Sequence, residues 1–183
     1  MRKALQALMR GIDIVYTCIY NEHMLIYQLC DEFQKAKLPY VIVGGYAMAL
    51  HNVVRMTMDI DLVLHLNLND YERAEACLKK IGLQSRIPVR AQDIIKMREE
   101  YIEKRNLIAW SFVDFSNPAR QVDILITKDI DDLEYERISL AGRKIPVASL
   151  KTLIQMKSES DRPQDRIDVQ NMKEALLEQK NKK

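Results

Sequence analysis

Residues 41–64 read VIVGGYAMALHNVVRMTMDIDLVL, and the reading of this stretch decides the fold. The apolar run Tyr40–Val43 leads into adjacent glycines, Gly44-Gly45. A second run, Asp59–Leu64, carries two aspartates one residue apart. Charged side chains are costly among Val, Leu and Ile, so their placement needs a cause. In a strand, residues i and i+2 project from one face. Asp59 and Asp61 therefore stand side by side, with Ile60 and Leu62 turned into a core. Carboxylates this close repel unless a cation lies between them. Mg²⁺ suits the pair, since it takes one or two carboxylates and completes its shell with water and substrate phosphates. The competing reading is a strand end where both aspartates meet water.

The glycines precede a short helix, Tyr46–His51. Glycine lets a backbone turn sharply and approach a ligand closely. A helix N-terminus offers unpaired N–H groups and a partial positive charge, which suits phosphate. A third acid is found in Gln121–Ile126, QVDILI, where Asp123 again interrupts an apolar strand. From an adjacent strand it would complete the metal site and accept a proton from an attacking hydroxyl. Asp114, in the other arm of the same hairpin, competes for this role. The continuously apolar flanks favour Asp123.

Outward from this centre the pattern alternates helices and short strands. Residues 19–37 carry Ile19, Leu25, Ile26, Leu29 and Phe33 at helical spacing, and Pro39 stops the helix. Asn69-Asp70-Tyr71-Glu72 has the form of a capping box and predicts a helix to Ile81, ended by Gly82. Residues 91–105 predict one mixed-charge helix, and 86–105 is either a lid or acceptor wall or a solvated helix. Leu107–Phe115 and Arg120–Ile126 predict a hairpin turned at Ser-Asn-Pro. A short helix is expected around Asp132–Glu136, then a small hairpin, Arg137–Leu140 with Lys144–Val147. Two helices close the chain: Ser149–Glu159, and one from near Asp161 with Pro163 in its first turn. The terminal EQKNKK is expected to fray.

A chain of 183 residues with 48% apolar and 30% charged residues is the size and make-up of one globular domain. The expected division is a helical segment 1–37, a core 38–147 and C-terminal helices 148–183. A net charge of +2 does not argue for nucleic acid by itself. Cys18, Cys30 and Cys77 have no ligand spacing and read as reduced thiols near a core, which points to a cytoplasmic protein. The first twenty residues lack a cleavage site after an apolar core, so no signal peptide is expected. The uncharged stretch Leu38–Val54 is too short and too broken to cross a membrane.

Together these pieces resemble the nucleotidyltransferase superfamily that includes DNA polymerase β: VIVGGYAMAL, then RMTMDIDLVL, then QVDILI. A narrower resemblance is to the AbiEii-like small nucleotidyltransferases, which carry G-G-x-A, then R-x-T-x-D-I-D. The matching residues are Gly44-Gly45-Tyr46-Ala47 and Arg55-Met56-Thr57-Met58-Asp59-Ile60-Asp61. Those proteins also carry a later lysine and R-x-x-D-x-x-D, matched by Lys157, Arg162, Asp165 and Asp168. Tyr46 departs from the serine of many polymerase β relatives, which leaves backbone N–H groups as the main phosphate donors.

The resemblance implies an α+β (α/β) fold, a small mixed β-sheet packed against helices with C-terminal helices behind. It implies transfer of a nucleoside monophosphate from an NTP, ATP among them, to an acceptor, with release of pyrophosphate. Asp59, Asp61 and Asp123 would hold Mg²⁺ or Mn²⁺, and Asp123 would also activate the acceptor. Gly44, Gly45, Tyr46, Arg55, Thr57, Lys157, Asp165 and Asp168 would surround the nucleotide, with Arg55 and Lys157 neutralising its phosphates. Residue by residue the plainer readings stay open. Arg55 pairs with Asp59 or solvent, Lys157 is simply solvated, and Asp165 and Asp168 latch onto Arg162 and Arg166 from one helix face. The first expectation for the acceptor is RNA or protein in a toxin–antitoxin setting, with a cognate antitoxin as partner. The alternatives are a small-molecule acceptor such as an aminoglycoside or lincosamide antibiotic, and a non-catalytic member of the fold.

Overall fold

The computed structural model describes residues 24–160 and 162–181. Among these residues seven helices and seven strands follow one another, with one 3₁₀ turn at Ile130–Asp132. The expectations for residues 19–23, Cys18, the N-terminal segment and Asp161 lie outside the described residues.

Helix α1 (Leu25–Lys35) buries Ile26, Leu29, Cys30 and Phe33, as its spacing predicts. It leads into β1 (Val41–Val43), all three residues buried, and directly into α2 (Gly44–Leu50). The glycine pair is thus the first turn of the helix itself. After an extended segment comes β2 (Asp59–Val63), with Ile60 and Leu62 almost fully buried and both aspartates half-buried. This is the alternation the sequence shows.

Helix α3 (Leu68–Lys80) begins earlier than predicted. Its N-cap is Asn67, whose side chain accepts from the Asp70 N–H at 2.9 Å, so the box at Asn69 and Glu72 does not form. Asp70 is buried and held by His65 and Arg73, each at 3.0 Å. A two-residue strand β3 (Gln84–Ser85) follows. The single helix expected over 91–105 is two, α4 (Ala91–Lys96) and α5 (Arg98–Arg105), broken at Met97. The first is capped at Arg90, whose N–H donates to Asp93 at 2.9 Å.

Strands β4 (Ala109–Asp114) and β5 (Asn117–Leu125) form the predicted hairpin, though β5 starts at Asn117 and the turn lies at Phe115-Ser116. The helix expected near Asp132–Glu136 is displaced by the 3₁₀ turn, which Asp129 caps, and by an earlier start of β6 (Tyr135–Leu140). Strand β7 (Arg143–Ala148) completes that hairpin. Helix α6 (Leu150–Ser158) is capped by Ser149, and α7 (Pro163–Asn181) opens on Pro163 and continues helical through most of the predicted fraying end.

The strands form one mixed sheet in the order β3-β4-β5-β2-β1-β7-β6. Pairs β2–β5 and β1–β7 are parallel and the rest antiparallel. The expected α+β fold with a mixed sheet is therefore present. Its core runs from Phe33 and Leu29 through the sheet to Trp110, whose indole N–H donates to Ser85 Oγ at 2.9 Å, and Tyr71, stacked parallel to Trp110 at 6.1 Å. Cys30 and Cys77 are buried free thiols, and burial pushes Cys30 up to about 11. Among the described residues no helix is long and apolar enough to cross a membrane.

Candidate active site

Sheet register assembles the acids. Asp61 on β2 lies opposite Asp123 on β5, and Asp123 lies opposite Ser111 on β4. On its other side Asp61 is opposite Val43, the residue before the glycine turn. One row across four strands therefore runs from the Gly44 turn through Asp61 and Asp123 to Ser111. Asp59 stands one step along the same face of β2, since it is two residues from Asp61. Carboxylate oxygens from Asp59, Asp61 and Asp123 all lie within 4.8 Å of one another.

This cluster carries a large electrostatic penalty. The Asp61 carboxyl is pushed up to about 7, first by burial and then by the charges of Asp59 and Asp123, with Lys157 and Arg162 pulling the other way. A divalent cation would remove that penalty, and three oxygen donors this close fit a hard ion. Thr57 donates its hydroxyl to Asp59 Oδ1. Gln121, two residues before Asp123 on the same face, donates to both oxygens of Asp123 at 3.1 and 2.9 Å. The sequence reading did not assign Gln121 a role, although its i−2 spacing from Asp123 was visible. Asp114 is a turn residue: it accepts from Ser116 Oγ at 2.6 Å and the Ser116 N–H at 2.9 Å, and lies 3.3 Å from Arg120.

The glycines are needed for close approach. Gly44 has φ +66°, and a Cβ there would fall 1.8 Å from Asp61 Oδ2. A Cβ on Gly45 would meet the Thr57 side chain at 3.0–3.2 Å. Tyr46 faces away from the acids. It is half-buried against the core, and its hydroxyl is pushed up by burial and by Tyr27 and Cys30.

Opposite the acids, Lys157 near the end of α6, Arg162 just before α7 and Arg55 in the segment before β2 supply a cationic wall. Lys157 Nζ lies 2.6 Å from Asp165 and 2.8 Å from Asp168. Arg162 lies 2.6 Å from Asp165, and Arg55 Nε lies 3.3 Å from Asp168. Asp165 and Asp168 are 2% and 1% exposed, so they act as buried anchors that aim the cations. Burial opposes their charge, but the bonds from Lys157, Ser160 and Arg162 hold Asp165 at about 2. Lys157 and Gln164 likewise keep Asp168 below its ordinary value. Arg55 therefore pairs with Asp168 rather than with Asp59, and Lys157 is not merely solvated. These groups line a cleft of about 850 Å³, with Gly44, Gly45, Arg55, Thr57, Lys157 and Asp165 on its surface beside the three acids. Asp168 lies beneath that surface, and Tyr46 is not part of it.

With this geometry in hand, similarities to known proteins fall into place. The family model for aminoglycoside-2''-adenylyltransferase matches residues 25–172. No curated protein matches the chain in sequence. Among solved structures, ANT(2'')-Ia in complex with adenylyl-2''-tobramycin superimposes with a TM-score of 0.56 at 16% identity, covering 83% of this chain and 87% of that one. The lincosamide antibiotic adenylyltransferase LnuA, lincomycin-bound, gives 0.54 at 14% identity, covering 81% and 94%. TM1012 from Thermotoga maritima, assigned as a nucleotidyltransferase, gives 0.51 at 15% identity, covering 86% and 91%. At these identities the superpositions speak for the fold. Because the family match spans most of the chain, this protein belongs to the aminoglycoside-2''-adenylyltransferase family and is a nucleotidyltransferase.

Proposed function

We propose that the protein transfers a nucleoside monophosphate from an NTP to a hydroxyl of a small-molecule acceptor, an antibiotic or a compound like one, with release of pyrophosphate. The observation that carries this reading is the row of acids beside the glycine turn, faced by a wall of anchored cations. The sequence reading ranked RNA or protein in a toxin–antitoxin setting first and an antibiotic acceptor second. The family match and the two antibiotic adenylyltransferases among the neighbours favour the second over the first, and the AbiEii-like branch finds no support among them.

Asp59, Asp61 and Asp123 would hold a divalent ion, Mg²⁺ or Mn²⁺, which when bound neutralises phosphate charge. The other roles belong to the chain's own groups. Lys157, Arg162 and Arg55 offset the negative charge of the triphosphate, and preorganised cations of this kind are a main lever in phosphoryl chemistry. The Gly44-Gly45 turn brings backbone N–H groups to the phosphates without a side chain in the way. Asp123, farthest from that turn, receives the proton of the acceptor hydroxyl at a carboxylate oxygen. Gln121 and Thr57 hold Asp123 and Asp59 in place.

The test is incubation with Mg²⁺, each labelled NTP and a panel of antibiotics. Label should pass to an acceptor with stoichiometric pyrophosphate. Asp59→Asn and Asp61→Asn should abolish transfer while circular dichroism stays native. Wild-type transfer by either variant, or no Mg²⁺-dependent NTP binding by the parent chain, would refute the reading.

A further inference from the structure

The acids of the cleft differ in what holds them. Among the described residues lining it, five are acids. Asp59, Asp61 and Asp123 converge within 4.8 Å and form the set suited to a metal ion. Asp165 is 2% exposed and bound by both Lys157 and Arg162. Glu159 is the remaining one. Its side chain is 51% exposed, and its partner among the described residues is Lys128, at 2.7 Å. That pair joins the sheet wall of the cleft to the helical wall. Lys128 follows β5, five positions after Asp123, and Glu159 is the C-cap of α6, two positions after Lys157. Five residues of extended chain reach at most ~18 Å, so the pair stands within the length of one multi-ring molecule from Asp123.

Two physical features open Glu159 to a cation other than Lys128. Exposed lysine–carboxylate pairs hold weakly, because water screens the charges and fixing a long side chain costs entropy. Glu159 also sits at the C-terminal end of α6, where the last carbonyls add partial negative charge. An incoming ammonium group therefore displaces Lys128 at little cost, and the lysine swings into water with its hydration restored. Once the acceptor fills the cleft, water is excluded from the new pair. A cation there without its carboxylate would be desolvated and unpaired, which is strongly unfavourable.

We infer that Glu159 is an acceptor-recognition residue, which takes an ammonium group of the acceptor in exchange for Lys128 while the acceptor's hydroxyl is presented at Asp123. This rests on the nucleotidyltransferase reading above and adds to it the residue that selects amine-bearing acceptors. Lys128 keeps the carboxylate paired until the acceptor arrives.

The experiment uses the full chain with Mg²⁺ and tobramycin as the amine-bearing probe, followed by calorimetric titration and by steady-state transfer from each NTP. Mg²⁺-dependent NTP binding is measured separately by thermal shift. Glu159→Gln keeps the size of the side chain and removes its charge. It should weaken tobramycin binding and raise its KM roughly 10-fold or more, with kcat and Mg²⁺–NTP binding near their parental values. Lys128→Met should act in the opposite sense and lower that KM roughly 3-fold, the scale of an exposed pair. Added salt should weaken tobramycin binding more in the parent chain than in Glu159→Gln. Parental affinity for tobramycin in Glu159→Gln overturns the proposal. So does a chain that binds Mg²⁺–NTP but not tobramycin, or a Glu159→Gln loss confined to kcat. Absence of Mg²⁺–NTP binding instead strikes the nucleotidyltransferase reading, and the acceptor role of Glu159 falls with it.

Discussion

Gly44 and Asp61 are fitted to each other. The glycine holds φ +66°, and its missing side chain leaves the space that the Asp61 carboxylate fills, since a methyl there would lie 1.8 Å from Oδ2 and 2.6 Å from Cγ. The turn and the acid are thus parts of one packing unit, joined by the β1–β2 pairing of Val43 with Asp61.

Gly44→Ala should therefore be damaging twice over. A positive φ is strained for alanine and the methyl overpacks Asp61, together roughly 2–5 kcal/mol. Thermal melting should show that loss, and Mn²⁺ binding followed by electron paramagnetic resonance should weaken as Asp61 is displaced. Gly45→Ala presses only on the Thr57 side chain at 3.0–3.2 Å and should cost less.

The metal-free protein should lose stability as pH rises from about 4 to about 7. Asp61 is pushed up to about 7 in the fold, by burial and then by Asp59 and Asp123, against about 3.9 in an unfolded chain. Between those values the folded state binds the extra proton, so the gradient is negative. At about 1.4 kcal/mol per pKa unit the effect reaches up to ~4 kcal/mol. Asp165 has the opposite sign: held at about 2, it contributes stability that is lost as pH falls from about 4 to about 2. Melting temperature against pH, without metal, should show both limbs. Asp61→Asn should flatten the first, and Mg²⁺ should flatten it in the parent chain.

Asp168→Asn should destabilise by about 3 kcal/mol, because Lys157 and Arg55 lose a partner that is 1% exposed. Urea melts would register this. Lys157→Met removes the other side of the pairing and should both destabilise and raise KM for NTP. A variant with parental stability would show that the pairs contribute nothing.

Gln121→Leu keeps the size of the side chain but frees both Asp123 oxygens. Groups that orient a metal ligand commonly matter by roughly 10–100-fold in affinity. Mn²⁺ titration should show a loss of that order with little change in melting temperature. Unchanged affinity would make the Gln121 contact incidental.

The alternation in DIDLV is enough to put Asp59 and Asp61 on one face, because side-chain direction along a strand has a period of two. The glycine turn, the helix read over Ser149–Glu159 and the β4–β5 hairpin are legible for similar local reasons, and the role of Ser149 as that helix's cap comes from the fold. The errors were local too. Asn67 and Asn69 are both good caps, and in the fold it is Asn67 that accepts from the Asp70 N–H and starts the helix two residues earlier. The run 91–105 looked continuous because nothing in its sequence announces the break at Met97.

What the sequence by itself determined is the set of chemical groups and the faces they share within each element. It could not say that β5 lies beside β2 rather than beside β1, yet that parallel pairing is what sets Asp123 opposite Asp61. It carried Lys157, Arg162, Asp165 and Asp168 as a pattern, but not that Asp168 is buried between Lys157 and Arg55. Such relations join residues up to about a hundred positions apart, and only the packed sheet and the two helices over it bring them together.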